Sequence, residues 1–120
     1  MTERQETYMG GNPITLLGPK PEAGETAPDF SVLDIDLLPK HIDDYTGKIK
    51  VISVIPSVDT GVCSVQTKKF TEFAEGFADD VAILSISMDL PFAQKRWCGA
   101  EEIDRVELLS DHRDASFGEA

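Results

Sequence analysis

"IKVISVIPSVDTGVCSVQTKKFTEFAEGFADDVAILSISMD", residues 49–89, decides the fold. Its opening, Ile49–Pro56, is rich in β-branched residues and nearly all apolar beyond Lys50, which suits a strand buried on both faces of a parallel sheet. From Cys63 to Ala78 the period changes. Phe70, Phe73, Ala74 and Phe77 fall at i, i+3, i+4 and i+7, one face of a helix. Val81–Asp89 then reads as a second buried strand. Strand, helix and strand joined by short links give a right-handed βαβ unit.

Outward from this unit the same grammar extends to both ends. Residues 1–28 are dense in glycine and proline, and "ITLLG" (14–18) between them reads as a short strand of a hairpin. Phe30–Leu38, "FSVLDIDLL", reads as an edge strand that Pro39 ends. After Pro91, "FAQKRWCGAEEI" reads as a helix with Gly99 as its C-terminal break. "VELLS" (106–110) is a third buried strand, and "DASFGEA" (114–120) opens another helix. The reading is an α/β chain with an N-terminal extension, residues 1–28, and one domain, residues 29–120.

Composition narrows the partners. A chain of 120 residues with 41% hydrophobic side chains builds one ordinary core. A net charge of −11 argues against nucleic acid or an anionic membrane surface, since both repel it. The polar start has no apolar signal region and no stretch approaches a membrane span, so a cytoplasmic address is expected. In a reducing compartment two cysteines make a poor permanent staple.

Cys63 sits where a strand gives way to a helix. The first turn of a helix offers unpaired N–H groups and the positive end of the macrodipole, which favour a thiolate, the nucleophilic form of the side chain. The same residue could equally be a small buried hydrophobe. Thr60, three residues earlier, could cap the helix or hydrogen-bond a substrate. "CSVQ" lacks the second cysteine of a C-x-x-C pair. His41, His112 and the two distant cysteines lack zinc-finger spacing, and there is no phosphate-loop glycine pattern. Asp111 and Asp114 suit turn and cap roles better than acid–base catalysis.

Pro56-Ser-Val-Asp-Thr60-Gly-Val-Cys63 resembles the peroxiredoxin pattern of proline, three residues, threonine, two residues, cysteine. "PSVDTGVCSVQTKKF", "SISMDLPFAQKRWCGAEEI" and "LLSDHRDASFGEA" resemble the thiol peroxidase subgroup, in order, over about residues 10–120. The resemblance implies a thioredoxin-like fold with a central mixed sheet flanked by helices. It implies a peroxidatic Cys63 that attacks a peroxide O–O bond and becomes a sulfenic acid. It implies Thr60 holding thiolate and peroxide oxygen, Pro56 shielding the sulfur, and Arg113 orienting the peroxide. Cys98 matches the resolving cysteine of the same chain, giving a Cys63–Cys98 disulfide reopened by a thioredoxin-like reductant. No cofactor or metal is implied, and a homodimer is.

Two further expectations follow. A disulfide needs Cα atoms within about 7 Å, whereas packed helix axes lie roughly 8–10 Å apart. The first turn after Cys63 and the Trp97–Gly99 segment are therefore expected to be locally unstable. The family continues past the position of Ala120 with further strands and a closing helix, so the chain reads as truncated at the C-terminus. A truncated thioredoxin-like module without catalysis, or a small protein with a static disulfide, are the competing readings.

Overall fold

A computed structural model describes residues 3–74, 76, 79–101 and 106–120, with the side chains of residues 4–6 outside that description. The elements are β1 (Glu3–Met9), β2 (Asn12–Leu17), β3 (Ser31–Leu33), β4 (Pro39–His41), a 3-10 turn (Ile42–Tyr45), β5 (Ile49–Val54), α1 (Gly61–Ala74), β6 (Val81–Ser87), α2 (Pro91–Glu101), β7 (Val106–Ser110) and α3 (Ser116–Glu119). Strands β1 and β2 form a separate antiparallel pair. Their two-residue turn, Gly10-Gly11, holds φ at 58° and 83°. Positive φ at both positions matches the right-handed twist of the flanking strands and favours glycine. The expected N-terminal hairpin is therefore present.

The remaining strands make one mixed sheet in the order β4-β3-β7-β6-β5. β5, β6 and β7 run parallel, and β3 is antiparallel to both β4 and β7. Side chains alternate between two cores. Ile83, Val106 and Leu108 join Ile55, Val58, Cys63, Ala74 and Trp97 on one face. Leu84, Ile86 and Leu109 join Phe30, Val32 and Tyr45 on the other. Because β6 and β7 are covered on both faces, they carry hardly any polar alternation, as the sequence reading required.

Four readings are corrected. Phe30–Leu38 is not one strand ended by Pro39. The chain turns at Asp34, whose Oδ1 accepts from the N–H groups of Asp36 (2.8 Å) and Leu38 (3.0 Å). Pro39 then opens β4, opposite Leu33, an edge position where its missing N–H does no harm. β5 lies at the other edge of the sheet rather than inside it, and leaves Ile49 and Val54 exposed. On α1 the buried residues are Cys63, Thr67 and Ala74, with Phe70 half-buried, while Phe73 is 62% exposed. At about 100° per residue, Phe73 falls about 80° from that stripe; Phe77 lies outside the described residues. Gly99 lies within α2 instead of ending it, and Glu102 and Ile103, part of the same helical reading, also lie outside the described residues.

Candidate active site

Parallel strands in register bring their carboxyl ends to one border of the sheet. Val54 pairs with Ile86, and Ser87 with Ser110. The segments that follow β5, β6 and β7 are thus neighbours: 55–60 leads to Cys63, 88–90 leads to the helix bearing Cys98, and 111–115 carries Arg113. In open α/β sheets the crevice outside the carboxyl ends of the strands is where ligands bind.

Cys63 is the third residue of α1 and is 8% exposed. The first bond into the helix runs from Ser64 N–H to the carbonyl of Thr60 (2.9 Å). The N–H groups of Gly61, Val62 and Cys63 have no protein acceptor among the described residues. These are the orphan donors of a helix start, and they lie in the turn that bears the sulfur. The thiol shares its apolar cluster with Ile55, Val58 and Trp97, and Cys98 packs against the same cluster. Both cysteines are free thiols. Loss of hydration by burial pushes the Cys98 thiol up.

Thr60 does not cap α1. Its hydroxyl donates to the carbonyl of Ser57 (2.9 Å), and its own N–H approaches the same oxygen (3.3 Å). With the proton committed there, the Thr60 Oγ1 lone pairs are left to accept from a ligand. Pro56 is exposed in the loop after β5. Arg113 is exposed and lines a small cleft with Ser31–Leu33, Pro39, Ser110 and Asp114. It has no ion-pair partner among the described residues, and no hydrogen bond among them joins it to Cys63, Thr60 or Pro56.

Two surface ion pairs link the two cysteine-bearing segments. Arg96 approaches Asp59 at 3.7 Å, and Lys68 meets Glu101 at 2.8 Å. Asp111 and Asp114 take the turn and cap roles expected of them. The buried Asp111 carboxylate accepts from Phe117 N–H (3.0 Å) and Gly118 N–H (2.9 Å), and Asp114 Oδ1 accepts from Ser116 N–H (3.2 Å). No group of three or more His, Cys, Asp or Glu side chains able to hold a metal occurs among the described residues. Nor is any described helix long and apolar enough to cross a membrane.

Asp89 is the residue that the sequence reading passed over. Its Oδ1 accepts from the Ser57 hydroxyl (2.6 Å), and its Oδ2 from Val58 N–H (2.9 Å) and the Ser87 hydroxyl (2.7 Å). The available signal was an acid placed directly after a buried strand, together with serines at the ends of otherwise apolar runs.

The sequence pattern described as the AhpC/TSA family matches residues 23–118. The thiol peroxidase of Oceanobacillus iheyensis is 61% identical over 108 residues, 90% of this chain and 65% of that protein. The thiol peroxidase of Bacillus subtilis is 57% identical over 114 residues, 95% of this chain and 67% of that protein. A crystal structure of a peroxiredoxin-like protein from Aquifex aeolicus superposes with a TM-score of 0.88 at 39% identity, covering 97% of this chain and 67% of that one. The chain thus spans about two thirds of the length of the curated relatives it matches.

Proposed function

The chain belongs to the AhpC/TSA family, and from that premise we propose that it is a thiol-dependent peroxidase acting on hydrogen peroxide and small organic hydroperoxides. The observation that carries this reading is Cys63 in the first turn of α1, where three backbone N–H groups have no protein acceptor among the described residues. The Cys63 thiolate attacks one oxygen of the peroxide. The O–O bond breaks, the departing oxygen takes up a proton and leaves as water or an alcohol, and sulfur is oxidised to the sulfenic acid. A peroxide offers little charge to grip, so rate comes from aligning sulfur with the O–O axis and from donors aimed at the departing oxygen. Thr60 Oγ1 accepts the peroxide O–H. Pro56 walls the loop, and Arg113, at the same border of the sheet and without an ion-pair partner among the described residues, orients the peroxide.

Cys98 then attacks the Cys63 sulfur, expels the hydroxyl as water and closes a disulfide. A thioredoxin-like dithiol reopens it, taking the oxidation onto itself. Helical geometry at both cysteines in the reduced chain supports partial unwinding as part of closure. A homodimer is the proposed assembly, supported by the exposed Val62, Leu90 and Phe92 beside the site. A cytoplasmic address suits chemistry that depends on two reducible thiols.

One equivalent of hydrogen peroxide added to the reduced chain tests the reading. Mass spectrometry should show loss of two hydrogens and a peptide joined through Cys63 and Cys98. Cys63→Ser should abolish peroxide consumption. Peroxide consumption that is unchanged in Cys63→Ser would refute the proposal.

A further inference from the structure

We propose that Asp89 is the positioning residue of the reactive turn: its carboxylate fixes the segment that aims Thr60 and Cys63 at the peroxide. This rests on the reading of Cys63 as the attacking sulfur. Three hydrogen bonds engage its two oxygens, all from the turn and the strand end that it joins. Oδ1 takes the Ser57 hydroxyl, and Oδ2 takes Val58 N–H and the Ser87 hydroxyl. Val58 is 1% exposed, so its N–H has no water to turn to if the carboxylate is removed.

The bonds run on in both directions. Ser57 Oγ accepts from Asp59 N–H (3.1 Å), and the Ser57 carbonyl takes the Thr60 hydroxyl proton (2.9 Å). The Thr60 carbonyl in turn accepts the first bond of α1. On the far side, Ser87 Oγ accepts from Gln94 Nε2 (3.1 Å), which also donates to the Leu109 carbonyl (2.9 Å). The backbone carbonyl of Asp89 accepts from the Ser110 hydroxyl, which lies 2.8 Å from His112 Nδ1. The carboxylate therefore ties the segment after β5 to the end of β6, and the Asp89 backbone carbonyl adds the end of β7. Ser57 sits between the half-buried Asp89 carboxylate and the hydroxyl that would meet the ligand. Misplacement there by an ångström costs about 100-fold in a reaction that depends on alignment.

Alignment and thiolate reactivity can be read separately. Alkylation of Cys63 by iodoacetamide needs the thiolate but no O–O axis and no Thr60 acceptor. In the reduced chain, Asp89→Ala should lower the second-order rate with hydrogen peroxide about 100-fold, while Cys63 alkylation, followed by peptide mass spectrometry, changes less than about threefold. Asp89→Asn keeps an oxygen for Val58 N–H and should recover at least about tenfold of that loss. Urea curves establish that each variant is folded under assay conditions. If Asp89→Ala is not, Ser57→Ala carries the test, with an expected loss of about tenfold in the peroxide rate alone. Folded variants within threefold of the parent would overturn the proposal, as would peroxide and alkylation rates that fall together. A parent no faster than Cys63→Ser overturns the functional reading instead, an outcome distinct from an active parent indifferent to Asp89.

Discussion

Closure of the Cys63–Cys98 disulfide should accelerate steeply as pH rises. Cys98 packs half-buried against the cluster that holds Cys63, and lost hydration keeps its thiol above the ordinary 9.0. Such a group is almost wholly protonated at neutral pH, and its ionised fraction grows about tenfold per pH unit until the titration is reached. Only the ionised form attacks a sulfenic acid. The closure rate should therefore climb about 100-fold from pH 6 to pH 8 without levelling off. Trp97 is the single tryptophan, 8% exposed and next in sequence to Cys98. Stopped-flow fluorescence should resolve a first phase that scales with peroxide concentration and a second that does not. Cys98→Ser should remove the second. A second phase that needs Cys98 yet stays flat between pH 6 and pH 8 would refute the reasoning, because opening of the helices would then set the rate. The burial also has an equilibrium sign. A folded-state value above the unfolded one means that the stabilisation is complete below the unfolded value. It is lost as pH rises through the folded one. Urea midpoints should therefore fall from pH 8 to pH 10 more in the parent than in Cys98→Ser.

Other expectations concern single residues. Arg113→Gln should lower the second-order peroxide rate about 100-fold, and Arg113→Lys should restore only part of it because the planar fork is lost; a rate unchanged in both would remove Arg113 from the site. Asp111→Ala strips the acceptor from two backbone N–H groups at α3 and should cost about 1–3 kcal/mol in urea unfolding, against a control of Asp114→Ala, whose single exposed bond should cost less. Leu84→Ala, at a fully buried position of the interior strand β6, should cost about 2–5 kcal/mol; a loss below 1 kcal/mol would mean that the core collapses around the gap.

Much of the fold was legible because β6 and β7 are covered on both faces and are therefore mostly apolar runs, broken by only a few serines and Glu107. The place of β5 at the sheet edge was not, since strand order is set by how the chain crosses over and leaves no mark on a local run. The turn at Asp34 was missed because Pro39 was read only as a terminator. A proline at the start of an edge strand is equally well accommodated, and Asp34 closing on Asp36 and Leu38 explains the reversal. At the site, Cys63 was legible from its place between strand and helix. The use of the Thr60 hydroxyl on Ser57 was not, because capping and backward bonding look alike in sequence. Asp89 was missed for a related reason: two of its partners lie 31 and 32 positions earlier in the chain and the third two positions earlier, and only the register of β5 against β6 brings them together.

The sheet also divides the molecule into two sides with different duties. Both cysteines belong to the layer that includes Ala74 and Trp97. Leu16 and Leu17 of the N-terminal hairpin border an apolar cavity of about 370 Å³ with Phe30, Ile52 and Phe117, on the opposite face. Sheet and helix layers stand about 10 Å apart, so any unwinding around the sulfurs takes place across a rigid partition from residues 3–17. A chain fixed to an electrode or a bead through that hairpin would keep its cysteine-bearing layer on the side away from the support, so that oxidation there could be followed without the support covering it.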